Sequence, residues 1–352
     1  MNVFGLHTAV NLFFQEQAND RLTLNALGGD DVVDATSLEA DGIQPTMNGG
    51  LGLDVFLGSE GDDLMNGGDG DDVALMGAGD DTFVWNPGDD NDTLEGQDGI
   101  DRMLFNGANV AENIDISANG GRVRFFRNIA SVVMDLNDVE GIDFRALGGA
   151  DNVVVNDVSG TDLTEVNSDL AAAVGVGDGQ PDNVVVHGTR GDDVAVVAGD
   201  ASGVAVLGLA ARVNITGSDA ANDRLTVNAL TGDDVVEASG LAAGAIQLTE
   251  NGDDGDDILI GSAGNDVLSG GPGDDVLIGG PGIDVLDGGD GDDIEIQSIG
   301  TDTVSSATTV GEDWLAAHAH IVEGKTVLSV NGKETKLPRT ELSELVRGAA
   351  SA

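Results

Sequence analysis

Apolar residues in this chain come in short bursts separated by glycine and acid. Over residues 252–296 the bursts fall in register every nine positions, as GDDGDDILI, GSAGNDVLS, GGPGDDVLI, GGPGIDVLD and GGDGDDIEI. Each fits G-G-x-G-x-D-x-U-x, where U is a large apolar residue; Asp253 and Ser262 replace a glycine, and Glu295 stands at U. Six residues of turn chemistry followed by three of alternating polarity predict a tight turn and a short strand with U inward. Two nonapeptides then complete one coil, with a turn on each side, and coils stack ~4.8 Å apart by parallel pairing. Residues 49–84 carry the same pattern as GGLGLDVFL, GSEGDDLMN, GGDGDDVAL and MGAGDDTFV. After a two-residue shift at Trp85 and Asn86, worn copies continue to residue 104.

Elsewhere the strand period persists while the glycines thin out. Residues 1–48 and 105–251 read as looser coils of the same solenoid. The second stretch holds a hairpin around Asn119-Gly120, in which Arg122, Arg124 and Arg127 are expected on a solvated face. The chain is also duplicated at an offset of 203 residues: Asp20–Leu27 returns at Asp223–Leu230, and Val3–Leu6 at Val206–Leu209. A second nonapeptide block therefore spans 252–305, ending in a worn copy at 297–305, and the pattern changes at 306. Glu312–His320 and the spacing of Leu342, Leu345, Val346 and Ala349 predict helices. The Asn331-Gly332 turn predicts a hairpin. The fold class that follows is all-β, a parallel β-roll or β-helix solenoid with a small α+β C-terminal cap.

Composition changes this picture in two ways. Only 3% of residues are aromatic against 40% hydrophobic, so the interior is expected to be Val, Leu, Ile and Ala. The net charge is −50, which disfavours nucleic acid and anionic membranes as partners. There is no cysteine, hence no disulfide or thiolate metal site. No apolar run approaches the ~18 residues of a membrane span. The amino terminus has neither a basic n-region nor a small-residue cleavage site, so it does not read as a secretory signal peptide.

The candidate chemistry is a carboxylate every nine residues: Asp54, Asp63, Asp72 and Asp81 in the first block, Asp257, Asp266, Asp275, Asp284, Asp293 and Asp302 in the second. Stacking sets Asp54 over Asp72 and Asp63 over Asp81. It also sets Asp257, Asp275 and Asp293 along one edge and Asp266, Asp284 and Asp302 along the other. Carboxylates with turn carbonyls are hard oxygen donors that suit Ca2+, whereas Mg2+ demands a stricter octahedron. Roughly five to eight ions are expected, each held by two turns. Asp92 and Asp101 lie in degenerate copies. Asp31, Asp151, Asp193 and Asp234 fall in turns with fewer glycines and are expected to be acidic turns facing solvent.

Other chemistry is poorly supported. No EF-hand loop, H-E-x-x-H or G-x-S-x-G occurs. His318 and His320 would face apart on a helix. Acid/base work needs two carboxylates in unlike environments, whereas repetition gives them one shared role. An enzyme is therefore not expected.

The nonapeptides resemble those of the haemolysin-type, or repeats-in-toxin (RTX), calcium-binding proteins. The resemblance implies a right-handed parallel β-roll with Ca2+ between successive turns. It also implies an extracellular protein exported by type I secretion through an uncleaved C-terminal signal. The function expected is a secreted protein that folds as Ca2+ neutralises its turns. One alternative is a calcium-stiffened adhesin or surface or matrix fragment of a longer modular protein, with a cell-surface or matrix partner; a less favoured one is the non-catalytic C-terminal part of a secreted enzyme.

Overall fold

The computed structural model describes residues 20–173 and 176–297, and outside them the strands Asn2–Val3, Val10–Asn11, Ala319–Val322, Lys325–Val330 and Lys333–Leu337, with residues 12–13. Glycine and aspartate keep the nonapeptide turns short, so each burst of apolar residues there becomes one strand and the chain winds back and forth between two long sheets. One sheet has 14 strands, from Arg21–Gly28 to Ile294–Ile296. The other has 13, from Val32–Asp34 to Val285–Asp290. Among the described residues there is no helix. The expected helix at Glu312–His320 falls outside them except for Ala319 and His320, which begin a strand instead. That strand and the hairpin on either side of Asn331-Gly332 form a three-stranded antiparallel sheet. The apolar spacing at 342–349 lies outside the described residues.

Rungs pair in parallel with side chains in register, which turns the period of two into continuous inward stacks. Met47, Met65, Phe83, Met103, Ile142, Val166 and Val213 follow one another up the 14-stranded sheet, all buried. Beside them Trp85, Phe105 and Phe144 form a second stack, the first two rings 4.0 Å apart and nearly parallel. The interior of the first half is thus built on methionine and aromatics, and only the second half is the Val/Leu core the composition suggested. The rare aromatics were averaged away in a whole-chain percentage, although Phe56, Phe83, Trp85, Phe105, Phe125 and Phe144 all point inward.

Two meanders interrupt the winding. After Arg102–Asn106 the chain overshoots: Asn113–Asn119, Arg122–Arg127 and Val132–Asn137 pair antiparallel in turn, and the last settles in parallel against Thr93–Asp98. The 13-stranded sheet then runs two rungs ahead. A second meander, Val194–Asp200, Gly203–Leu207 and Arg212–Thr216, does the same in the other sheet and restores the balance. Its first turn is an Asx turn, with the Ser202 amide and hydroxyl both donating to Asp200 Oδ1. The duplication reaches this element too. The pairs Asn2↔Asn11 and Val3↔Val10 reproduce Ala205↔Asn214 and Val206↔Val213. The 203-residue unit contains an odd number of half-coils. Arg21–Gly28 therefore lies in the 14-stranded sheet and its equivalent, Arg224–Asn228, in the 13-stranded one.

The first meander also corrects the reading of its arginines. Arg122 and Arg124 are half-buried in ion pairs to Glu95, Asp135 and Asp115. Arg127, three residues after Arg124, has the opposite parity and points inward. It is 4% exposed, pairs with the fully buried Glu112, and lies 5.2 Å from the centre of the Trp85 ring.

Candidate metal-binding turns

Each nonapeptide turn ends in its aspartate immediately before the strand, so stacking the strands stacks the carboxylates. The amide of each aspartate donates to Oδ1 of the next one in the stack: Asp54 to Asp72 at 2.7 Å, Asp63 to Asp81 at 2.7 Å, Asp257 to Asp275 at 2.8 Å, Asp275 to Asp293 at 3.0 Å and Asp266 to Asp284 at 3.0 Å. Two ladders result, one along each edge of the roll, and they bring together the residues the spacing paired. Asp302 lies outside the described residues. Gln297, the last residue described in the second block, donates to Asp284 Oδ2 at 2.9 Å.

The ladders run well past the repeats. Asp31 donates to Asp54, Asp72 to Asp92, and Asp81 to Asp101, which donates to Glu140. Beyond the first meander come Glu112 to Asp151, Asp151 to Asp182 and Asp182 to Asp223, and on the other edge Asp193 to Asp234 and Asp234 to Asp257. Asp151 and Asp234 are buried and Asp31 and Asp193 half-buried, so these turns do not simply face solvent as expected. Packing of neighbouring rungs covers them. The sequence signal that marked them was the nine-residue distance from an inward strand residue, and Asp182 and Asp223 lacked it.

Two arrangements of the carboxylate occur. Where Ser or Thr stands second in the turn, its own amide donates to Oδ2: Ser59 to Asp63, Thr189 to Asp193 and Ser262 to Asp266, each at 2.6 Å. Where the second residue has positive φ, that amide is turned away. Gly50, Gly68, Gly77, Gln97, Asp253 and Gly271 are of this kind. Oδ2 of Asp54, Asp72, Asp81, Asp101, Asp257 and Asp275 is then buried without a hydrogen-bond partner, as is Oδ2 of Asp92 in its longer turn. Glycine is needed first in the turn for a different reason. A Cβ on Gly261 would lie 2.6 Å from the carbonyl oxygen of Gly279 and 2.9 Å from Asp266 Oδ2. A bare glycine there lets oxygens of two successive turns converge.

These carboxyls are held well above the ordinary aspartate range, chiefly because burial disfavours the charged form and secondarily because like charges stack above and below. Asp81 and Asp92 are pushed up to about 8, Asp257 to about 7, and Asp63, Asp72, Asp101, Asp275 and Asp284 to about 6. The backbone N–H donors oppose the shift and do not overcome it. A buried carboxylate oxygen without a donor, in a wall of like charge, is chemically suited to a cation. Among the described residues no three His, Cys, Asp or Glu side chains converge on one point. A cation here takes part of its shell from backbone carbonyls, which suits Ca2+.

Comparison with known families agrees with the geometry. A search of curated proteins finds no match. The family model of the RTX calcium-binding nonapeptide repeat matches in 4 copies, over residues 47–83, 251–286 and 269–294. Those segments contain the stacked turns that end in Asp54, Asp63, Asp72, Asp81, Asp257, Asp266, Asp275 and Asp284. The chain carries RTX calcium-binding repeats of the haemolysin type, wound as an all-β parallel roll.

Proposed function

We propose that this chain is a secreted calcium-binding protein whose roll closes as several Ca2+ ions, roughly five to eight, enter between stacked turns. The observation that carries the reading is the row of buried, unpartnered Oδ2 atoms along both ladders. Asp54, Asp72, Asp81, Asp257 and Asp275 are the best-formed members, and Asp284 and Asp293 continue the second block. At Asp63 and Asp266 a cation competes with hydrogen bonds from Ser59 and Ser262. Bound Ca2+ supplies positive charge to the ladder. The chain's own part is to bring carboxylates and turn carbonyls into register, at the cost of stacking like charges. Binding therefore becomes folding energy. Weak, millimolar sites suit extracellular calcium and leave the chain loose where calcium is scarce, in keeping with export before folding. The repeated, near-equivalent turns support a shared binding role and not an active site. Circular dichroism and hydrodynamic radius in chelator and in ~5 mM Ca2+, the range of weak extracellular sites, test this; no difference between the two overturns it. Deleting residues 306–352 tests the tail. Lost export with intact calcium-dependent folding identifies a type I secretion signal, and aggregation identifies a cap.

The 203-residue duplication, carried through two continuous sheets, supports a second reading as a calcium-stiffened spacer in a surface or matrix protein. Binding of the calcium-loaded chain to whole cells, against the chelated chain, separates the two.

A further inference from the structure

Three turns outside the matched repeats share a form of their own. Residues 26–31, 146–151 and 229–234 read ALGGDD, ALGGAD and ALTGDD, that is A-L-x-G-x-D. In each, a leucine takes the second position with positive φ: Leu27 at 82°, Leu147 at 65° and Leu230 at 82°. A branched side chain adopts that conformation only where the surroundings impose it, at a cost of about 1–3 kcal/mol. The fourth residue, Gly29, Gly149 or Gly232, is also at positive φ, as in the calcium repeats. The backbone of the turn is that of the nonapeptide, reached without its second glycine.

The carboxylates behave accordingly. Oδ2 of Asp31, Asp151 and Asp234 is buried and has no hydrogen-bond partner, the condition found at Asp54 and Asp257. Asp151 is 2% exposed and Asp234 1%. Alanine stands first in these turns where the repeats prefer glycine, but Met76 stands first before Asp81, inside a matched repeat, and Asp81 Oδ2 is open as well. At Asp234 the neighbours are already ligand-like: its amide donates to Asp257 Oδ1, and the Asp193 amide donates to its Oδ1 at 2.6 Å. Around Asp151 a Cβ on Gly148 would lie 2.8 Å from Asn109 Oδ1 and 3.3 Å from Asp178 Oδ2, so two more side-chain oxygens face that turn. Arg127, paired with Glu112, offsets part of the negative charge at Asp151, while Asp178 accepts from the Gly149 amide and Asp182 from the Asp151 amide on the same side of the roll.

We propose that A-L-x-G-x-D turns are additional divalent-cation sites, taking Ca2+ through Asp151 and Asp234. The proposal rests on the calcium reading above and extends it to residues the repeat model does not reach. Native mass spectrometry of the full chain in calcium counts the ions. Asp151→Asn and Asp234→Asn, which keep the Oδ1 acceptor and the shape, are each expected to hold one ion fewer than the unsubstituted chain, and the double variant two fewer. Anomalous diffraction from crystals of the unsubstituted chain grown with Ca2+ gives a readout that does not depend on any variant folding: a peak is expected beside Oδ2 of Asp151 and Asp234. Unchanged counts, or peaks beside Asp54 and Asp257 but none at these two, overturn the proposal and leave the calcium reading standing. No bound ion anywhere overturns both.

Discussion

The amide of Asp54 donates to Oδ1 of Asp72, eighteen residues on, at 2.7 Å, while Oδ2 of the same Asp72 has no partner. In carboxylates of this kind one oxygen holds the roll together and the other is buried without a hydrogen-bond partner. Asp72→Asn keeps the first role and removes the second. The variant is expected to fold more readily in chelator, because a buried unpaired charge is gone. It should bind one Ca2+ fewer, or bind it roughly tenfold or more weakly, since ligand charge sets calcium affinity. Calcium titration followed by calorimetry and circular dichroism reads both.

The raised carboxyls fix the sign of the pH dependence without metal. Folding lifts Asp72 from 3.8 to about 6 and Asp81 to about 8, so the folded chain holds protons that the unfolded chain has released. The stability this gives is fully present below about pH 4 and is lost as pH rises through about 6–8. In chelator the strand signal should therefore grow on going from pH 8 to pH 5. In saturating calcium the dependence should reverse, because protons compete with the ion. A metal-free chain equally folded at both values would contradict the assignment.

Gly67 tests the space beside the carboxylate. An added Cβ would collide with Asp72 Oδ2 and sit 2.9 Å from its Cγ. Gly67→Ala should cost both fold stability and one ion. Gly121→Ala, in the hairpin, meets nothing closer than 3.9 Å and should change neither. Thermal midpoints in calcium compare the two.

Among the described residues Arg127 is the one buried cation. Arg127→Met leaves Glu112 charged and buried, and breaking such a pair costs about 3–5 kcal/mol. The loss should appear with and without calcium, and Glu112→Gln in the same chain should recover most of it. Denaturant titration of the unsubstituted chain and the two variants checks this.

Trp85 reports on the closure. It is fully buried, stacked on Phe105, and its indole donates to the carbonyl of Asp90 at 2.9 Å, in the turn that leads to Asp92. Calcium should shift its emission to the blue. In Trp85→Phe that component should vanish while calcium-induced circular dichroism persists.

Much of this architecture is legible in the sequence because the nonapeptide encodes turn, strand and carboxylate within nine residues. Asp54 to Asp81 and Asp257 to Asp293 could be paired from spacing alone. What stayed hidden depends on neighbours far along the chain. Leu147 and Leu230 carry no sequence mark of positive φ; stacked turns force it on them. Arg127 differs from Arg124 only in parity, and its partner Glu112 lies across a hairpin. The second meander has no Asn-Gly signal, only the weaker Asp200-Ala201-Ser202-Gly203.

The exchange of faces after 203 residues has a mechanical side. Around the first block the open carboxylates crowd one edge: Asp31, Asp54, Asp72 and Asp92 against Asp81 and Asp101. Around the second they crowd the other: Asp234, Asp257 and Asp275 against Asp151. Contraction along a single edge would bow a long, thin body. Because the half-turn between copies reverses the bias, tension from ion uptake cancels over the length of the roll. The loaded roll should therefore show opposite local curvature in its two halves and little net bow from end to end.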